Sequence, residues 1–316
     1  MKNAQTIITI IVLILLGVGA YFFFSDSSTV VNSDNSDQEM ATDTPATSTD
    51  DASTSTDEMG DETGSETSTA NQIVIGSSVE GRDITAYEYG SGDTQLLFVG
   101  GIHGGYEYNT TLLSYDIINY LSANPDVVPD SVSVTVIPVL NPDGLYRIAG
   151  TTADDFTSAD MPSLSETVPG RFNANEVDLN RNFDCNWQEE STWQSRSVSG
   201  GSAPFSEPES QAVRDYINTN TPDAVVVFYS AAGGVYSSNC SGPVLSESDE
   251  LMDLYASASG YSAEGEFTAY EINGDMVNWM AEENIPAISV LLTNHQDVEW
   301  SRNRAGIDAI FERYGN

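Results

Sequence analysis

The feature that most constrains the fold is a set of short apolar runs recurring between segments of helical periodicity. Leu96–Gly100, Ser131–Leu140, Ala224–Phe228 and Ala287–Leu292 are rich in β-branched and apolar residues and too short for helices. Strands of this kind need cover on both faces, the condition of a sheet buried between helices. The intervening stretches can supply it. Residues 108–122 place Leu113, Ile117, Tyr120 and Leu121 on one face, and 207–219 opens on Ser-Glu-Pro-Glu, with proline and acids in a first turn. Residues 249–258, 275–283 and 299–314 also read as helices, Gln72–Ile75 and Ile84–Tyr89 as two further strands, and 145–170 as an irregular acidic excursion. Strands alternating with helices predict an α/β sandwich with the sheet in the middle.

That pattern starts only near residue 72. Residues 6–24 are uncharged and almost wholly apolar, long enough to cross a bilayer as a helix. The chain's only lysine, Lys2, precedes them and predicts a cytoplasmic N-terminus. A cleavable signal peptide is the alternative, with Gly17-Val18-Gly19-Ala20 as small residues for processing; either way the rest is exported, anchored in the membrane or secreted. From residue 25 to 71 the chain turns to Ser, Thr, Asp and Glu with no basic residue, a composition that predicts a disordered tether. Residues 72–316 then fit one large domain.

The formal charge of the whole chain is −38, and no basic stripe exists to displace counterions, which argues against nucleic-acid binding. The two cysteines, Cys185 and Cys240, form an even pair in an exported chain. A disulfide, free thiols and a metal-ligand role all stay open on sequence grounds. His103 and His295 are the only histidines, which limits any histidine-based chemistry.

His103 lies in Gly100-Gly101-Ile102-His103-Gly104-Gly105-Tyr106-Glu107, where a buried strand ends and a helix begins. An imidazole and a carboxylate at such a junction can converge on one metal ion, or simply bind each other. Downstream come Asn141-Pro142-Asp143-Gly144, then Arg171-Phe172-Asn173-Ala174-Asn175-Glu176-Val177-Asp178-Leu179-Asn180-Arg181-Asn182-Phe183, then Pro204-Phe205-Ser206-Glu207-Pro208-Glu209. In this order, from Glu80-Gly81-Arg82 to the last helix, the chain resembles the zinc carboxypeptidases of peptidase family M14. The resemblance implies a three-layer α/β/α fold around a mixed, mostly parallel eight-stranded sheet, with a cleft at the C-terminal ends of the strands. It implies zinc as cofactor, with His103 and Glu107 as its first two ligands, although three residues separate them where the family usually has two. It further implies that Asn180 and Arg181 hold a peptide's C-terminal carboxylate, that Arg171 stabilises the developing oxyanion, and that Tyr270 closes over bound substrate. Ordinary surface ion pairs and a surface aromatic are the alternatives for these residues. Val277 falls in the region that lines the family's specificity pocket and hints at an apolar ligand side chain.

Two positions depart from the family. Tyr229, in Phe228-Tyr229-Ser230-Ala231-Ala232-Gly233-Gly234, stands where the third zinc ligand should be a histidine. Leu291 stands where the general base should be a glutamate, and leucine cannot accept a proton. The expected function is therefore a membrane-anchored, extracytoplasmic pseudopeptidase that binds the C-terminal carboxylate of peptides or peptidoglycan stems. The alternatives are an active metallocarboxypeptidase with a non-standard zinc site, using Tyr229 as phenolate or Glu271 or Glu283 as base, and a non-enzymatic structural or adhesion domain.

Overall fold

The computed structural model describes residues 70–316. The apolar segment 6–24 and nearly all of the acidic stretch 25–71 lie outside the described residues. Among the described residues, no helix is long and apolar enough to cross a membrane.

The strands are β1 (Asn71–Ser77), β2 (Asp83–Gly90), β3 (Thr94–Val99), β4 (Val132–Ile137), β5 (Glu190–Trp193), β6 (Arg196–Ser199), β7 (Ala224–Ser230), β8 (Gly234–Ser237), β9 (Ser262–Glu264) and β10 (Ala287–Leu292). The α-helices are α1 (Tyr108–Ala123), α2 (Pro142–Ala149), α3 (Leu164–Thr167), α4 (Pro208–Asn220), α5 (Ser246–Ser259), α6 (Met276–Glu282) and α7 (Trp300–Tyr314). Eight strands form one sheet in the order β1-β2-β4-β3-β7-β10-β8-β9, and β5 pairs with β6 in a separate hairpin. The central pairs β4–β3, β3–β7 and β7–β10 are parallel, as is β8–β9; the other pairs are antiparallel. This is a mixed, mostly parallel eight-stranded sheet.

The period-2 alternation of the strands divides the core between two faces. On one face Ala224, Val226 and Phe228 join Leu96, Phe98, Ile288 and Val290 against Leu113 and Ile117 of α1, Tyr255 of α5 and Phe311 of α7. On the other face Val225, Val227 and Tyr229 join Leu97, Val99 and Ala287 against Val213 and Ile217 of α4 and Met276 and Met280 of α6. Tyr229 belongs to the second set, and β7 and β10 run in a register that places Leu291 beside it.

Two local expectations fail. The excursion at 145–170 opens with a helix, α2: Asn141 Oδ1 accepts from the backbone N–H of Gly144 at 2.8 Å, Pro142 stands in the first turn, and Gly150 ends the helix with φ +74°. Asn-Pro at the start and glycine at the end are helix boundary signals. Ser163 and Glu166 likewise form a capping box that starts α3. Val277 also departs from expectation: α6 turns it into the core, wholly buried and packed with Met276 and Met280.

Candidate functional site

A cleft of about 730 Å³ opens at the C-terminal ends of the central parallel strands, and its lining includes Tyr229 and Leu291. It brings together His103, Glu107, Arg171, Asn180, Arg181 and Tyr270, residues spread over more than 160 positions of sequence.

His103 and Glu107 come from the turn after β3. A four-residue 3-10 turn, Gly104–Glu107, carries the carboxylate back beneath the imidazole, so His103 Nδ1 lies 3.0 Å from Glu107 Oε2. The extra residue in the spacing is absorbed by glycine. Gly104 has φ +42°, and a Cβ there would sit 2.7 Å from the Gly170 carbonyl oxygen and the Gly144 backbone. The other imidazole nitrogen, Nε2, lies 3.4 Å from Asp178 Oδ1. Among the described residues neither nitrogen has a well-aligned hydrogen bond, although His103 is 3% exposed.

Asp178 also receives Arg171, whose Nε and Nη2 both approach its Oδ2 at 2.8 Å. The Arg171 guanidinium lies 4.4 Å from the centre of the Trp193 ring, a cation–π contact, and 3.8 Å from Glu107 Oε1. Burial opposes the charge on Asp178, but Arg171, His103 and Arg181 outweigh it and hold its carboxyl well below the usual range. Glu107 behaves alike: burial opposes its charge, His103, Arg171 and His295 favour it, and its carboxyl ends below the ordinary value.

Asn180 and Arg181 sit in the 3-10 turn that Asp178 caps, Asp178 Oδ1 accepting from the backbone N–H of Asn180 at 3.1 Å. Arg181 is 1% exposed. Its Nη1 donates to the Asn180 carbonyl at 2.6 Å, and its Nε and Nη2 donate to the Thr192 carbonyl at 3.2 and 3.0 Å. Three of the five guanidinium N–H groups are thereby satisfied by backbone. Among the described residues, no carboxylate forms an ion pair with it within 4.0 Å. One N–H on each Nη remains, the two prongs of a fork, on a residue that lines the cleft.

Tyr270 is half-buried on the loop before α6, its ring against Phe267 and 6.0 Å from the Arg181 guanidinium. His295 lies against Tyr106 with ring centres 4.6 Å apart, and burial pulls its imidazole below the ordinary value. Glu271 lines the cleft, whereas Glu283 lines a separate pocket with Pro286 and Arg313 and cannot serve as a base there.

The motif segments lock together around this site. Asp143 accepts from Ser78 at 2.6 Å and pairs with Arg82 at 2.7 Å, while Glu207 Oε2 accepts from Asn173 and Asn175, each at 2.8 Å. The sequence profile of the family described as zinc carboxypeptidase, peptidase M14, matches residues 58–299. The chain belongs to that family.

Among curated relatives, carboxypeptidase B of Astacus astacus is 33% identical over 150 residues, 45% of this chain and 48% of that protein. Carboxypeptidase Z of Rattus norvegicus is 30% identical over 167 residues, 46% of this chain and 24% of that protein. The chain thus spans about half or less of the length of these relatives. Solved structures agree on the fold. Carboxypeptidase A from Helicoverpa armigera superposes with a TM-score of 0.61 at 18% identity, covering 78% of this chain and 68% of that one. Murein-tripeptide amidase from Escherichia coli O157 superposes with a TM-score of 0.54 at 23% identity, covering 77% and 91%.

The family is typically zinc-dependent, and the donor set here can be tested against that ion. His103 Nδ1 and Glu107 Oε2 converge as two ligands would, on a buried nitrogen that lacks a hydrogen bond. Among the described residues a third protein ligand is missing. Tyr229 fills that position, and burial, then the carboxylates of Asp275 and Glu107, push its phenol well above the ordinary value, which disfavours the phenolate a metal would need. Among the described residues, the one group of three His, Cys, Asp or Glu donors within 4.8 Å of one another is Cys185, Cys240 and Glu282. Its two sulfurs are spent in a disulfide, with Cα atoms 5.6 Å apart. The cleft donors therefore do not complete the three-ligand set of a catalytic zinc.

Sequence reasoning missed Asp178, Trp193 and Asp275. Asp275 caps α6, its Oδ1 accepting from the backbone N–H of Asn278 at 2.6 Å, and it lines the cleft in place of Val277. The local signals that could have pointed to the two aspartates are their places, Asp178 just before an arginine-bearing turn and Asp275 before a helical run.

Proposed function

We propose that this domain reads the C-terminal carboxylate of peptides, peptidoglycan stems among them, without hydrolysing them. The observation that carries the reading is Arg181: a buried guanidinium with no paired carboxylate among the described residues and two N–H groups left at the cleft. Burying an uncompensated charge is costly. A bidentate carboxylate would offset that cost, with the side-chain amide of Asn180 alongside and Tyr270 covering it. Arg171 is committed to Asp178 and supplies a fixed positive field beside the carboxylate's neighbouring carbonyl.

Hydrolysis would need two parts that this cleft lacks. The third ligand position holds a phenol whose surroundings disfavour ionisation, and the base position holds Leu291, in register beside it. Without a proton acceptor there, an attacking water stays protonated, a loss of roughly 10²–10⁴-fold in rate by itself. The fold likeness to a murein-tripeptide amidase supports stem peptides as one ligand class. Export with the domain outside the cytoplasm, anchored through residues 6–24, is part of the same proposal; it is supported by the apolar run after Lys2 and by the disulfide, a bond favoured in oxidising compartments.

The test is calorimetric titration of the full chain with N-blocked dipeptides and stem tripeptides, each as free acid and C-terminal amide. Binding of the free acids and at least tenfold weaker binding of the amides is expected. Equal affinity for both forms would sink the reading. A working hydrolase is the competing account, favoured by the bare His103–Glu107 pair and by Glu271 in the cleft lining. It requires chelator-sensitive release of the C-terminal residue, which the same peptides report. A purely structural or adhesive domain requires neither binding nor release.

A further inference from the structure

The residue that replaces the third metal ligand has a contact of its own. The Tyr229 hydroxyl lies 3.2 Å from Asn180 Oδ1, and the backbone N–H of Met276 donates to the same oxygen at 3.1 Å. The second contact fixes which end of the Asn180 amide is oxygen, since only an oxygen can accept from a backbone N–H. Tyr229 must then be the donor. With Oδ1 held from two sides, the amide plane is set and the Asn180 NH₂ group is directed elsewhere; no hydrogen-bond partner for it exists among the described residues, and Asn180 lines the cleft.

We infer that Tyr229 is a positioning residue of the carboxylate clamp: it holds the Asn180 amide with its NH₂ group toward the ligand, and so turns the former third-ligand position into part of the binding machinery. This rests on the carboxylate-reading function proposed above. Two features make the contact more than incidental. Tyr229 is 5% exposed and Asn180 6% exposed, which leaves water little room to compete for the bond. The next residue of the same turn is Arg181, whose Nη1 donates to the Asn180 carbonyl, so the two clamp residues share one rigid support. A histidine or an aliphatic residue at 229 would not reproduce a hydroxyl at the end of a six-membered ring.

Tyr229→Phe removes the hydroxyl and keeps the ring. Losing one of two hydrogen bonds that orient the amide should weaken free-acid peptides roughly three- to tenfold. Affinity for the amidated peptides and the melting temperature should stay near those of the unmutated chain, because a clamp residue acts on the carboxylate alone. In an Asn180→Ala background, Tyr229→Phe should add nothing.

The outcomes separate cleanly. If the unmutated chain prefers free acids and Tyr229→Phe keeps that preference in full, this inference fails while the clamp stands. Equal weakening of free acids and amides also overturns it, as general loosening of the cleft. Additive losses from the two substitutions overturn it independently. If the unmutated chain shows no preference for free acids, the clamp reading itself fails and takes this inference with it.

Discussion

Arg181→Lys separates charge from geometry in the clamp. Lysine keeps one positive charge but presents it as a point, without a planar fork, and cannot reach the Asn180 and Thr192 carbonyls while also facing a ligand. In the folded chain those carbonyls take three of the five guanidinium N–H groups, leaving two for a carboxylate. Lysine can retain one of those two contacts. The loss is then one hydrogen bond between charged groups, about 1.5–3 kcal/mol, or roughly 10- to 150-fold in Kd for a free-acid peptide. Amidated peptides never made that charged contact and should change less than about threefold, by the same reasoning. Titration calorimetry with matched free-acid and amide dipeptides reads both numbers, and circular dichroism confirms that the variant is folded. An Arg181→Lys variant that binds free acids as tightly as the unmutated chain would refute the argument that the fork, rather than the charge, recognises the ligand.

Other expectations concern stability. Reducing the Cys185–Cys240 bridge, which joins residues 55 apart, should lower unfolding free energy by about 2–4 kcal/mol, seen as an earlier guanidinium midpoint with reductant than without; an unchanged midpoint would count against it. Gly274→Ala should cost more than about 2 kcal/mol and blunt free-acid preference, because φ is +64° and the new Cβ would sit 2.3 Å from the Arg181 carbonyl oxygen; a native melting temperature would contradict this. Burial raises the Asp275 carboxyl above its usual value, so the stability it contributes is present below its unfolded value and lost as pH rises through the folded one. Asp275→Asn keeps the helix cap and should therefore melt higher than the parent at about pH 7, with the gap closing toward about pH 4; a lower melting temperature at neutral pH would reverse the sign. Asp178 is the opposite case, its carboxyl held low in the fold, so its contribution is present above the unfolded value and lost as acid approaches the folded one. Asp178→Asn should destabilise the chain at about pH 7, and by less as the pH falls below about 4.

Much of this was legible because the informative signals are local. β3, β4, β7 and β10 announce themselves as apolar runs, since strands covered on both faces need apolar residues at most positions. The last two strands at one end of the sheet, β8 and the edge strand β9, have four and three residues, with Gly and Ser among them, and carry no such signal. The helix α2 was hidden by its own cap, because Asn141-Pro142 reads equally well as the end of a strand. His103, Arg171, Asn180 and Arg181 stand out by their motif, and the fold brings them to one cleft. The charges that tune them were not, since Asp178 and Asp275 look like ordinary helix caps until burial and three-dimensional proximity are known. Val277 shows how sensitive such placement is to helical phase: two residues along the chain at the start of α6 separate a cleft carboxylate from a core valine. Tyr229 was recognised as a substitution, but its hydrogen bond to Asn180 depends on β7 meeting the 178–181 turn, which only the folded chain shows.

The central claim is that this cleft binds carboxylates without the groups that would cut the adjoining bond. The most direct measurement is zinc per chain, by mass spectrometry, together with release of C-terminal residues, on the full chain and on a Tyr229→His, Leu291→Glu double variant. The account predicts substoichiometric zinc and no release for the unmutated chain, and one zinc per chain with measurable release for the double variant. Stoichiometric zinc in the unmutated chain, with release that a chelator abolishes, would contradict it.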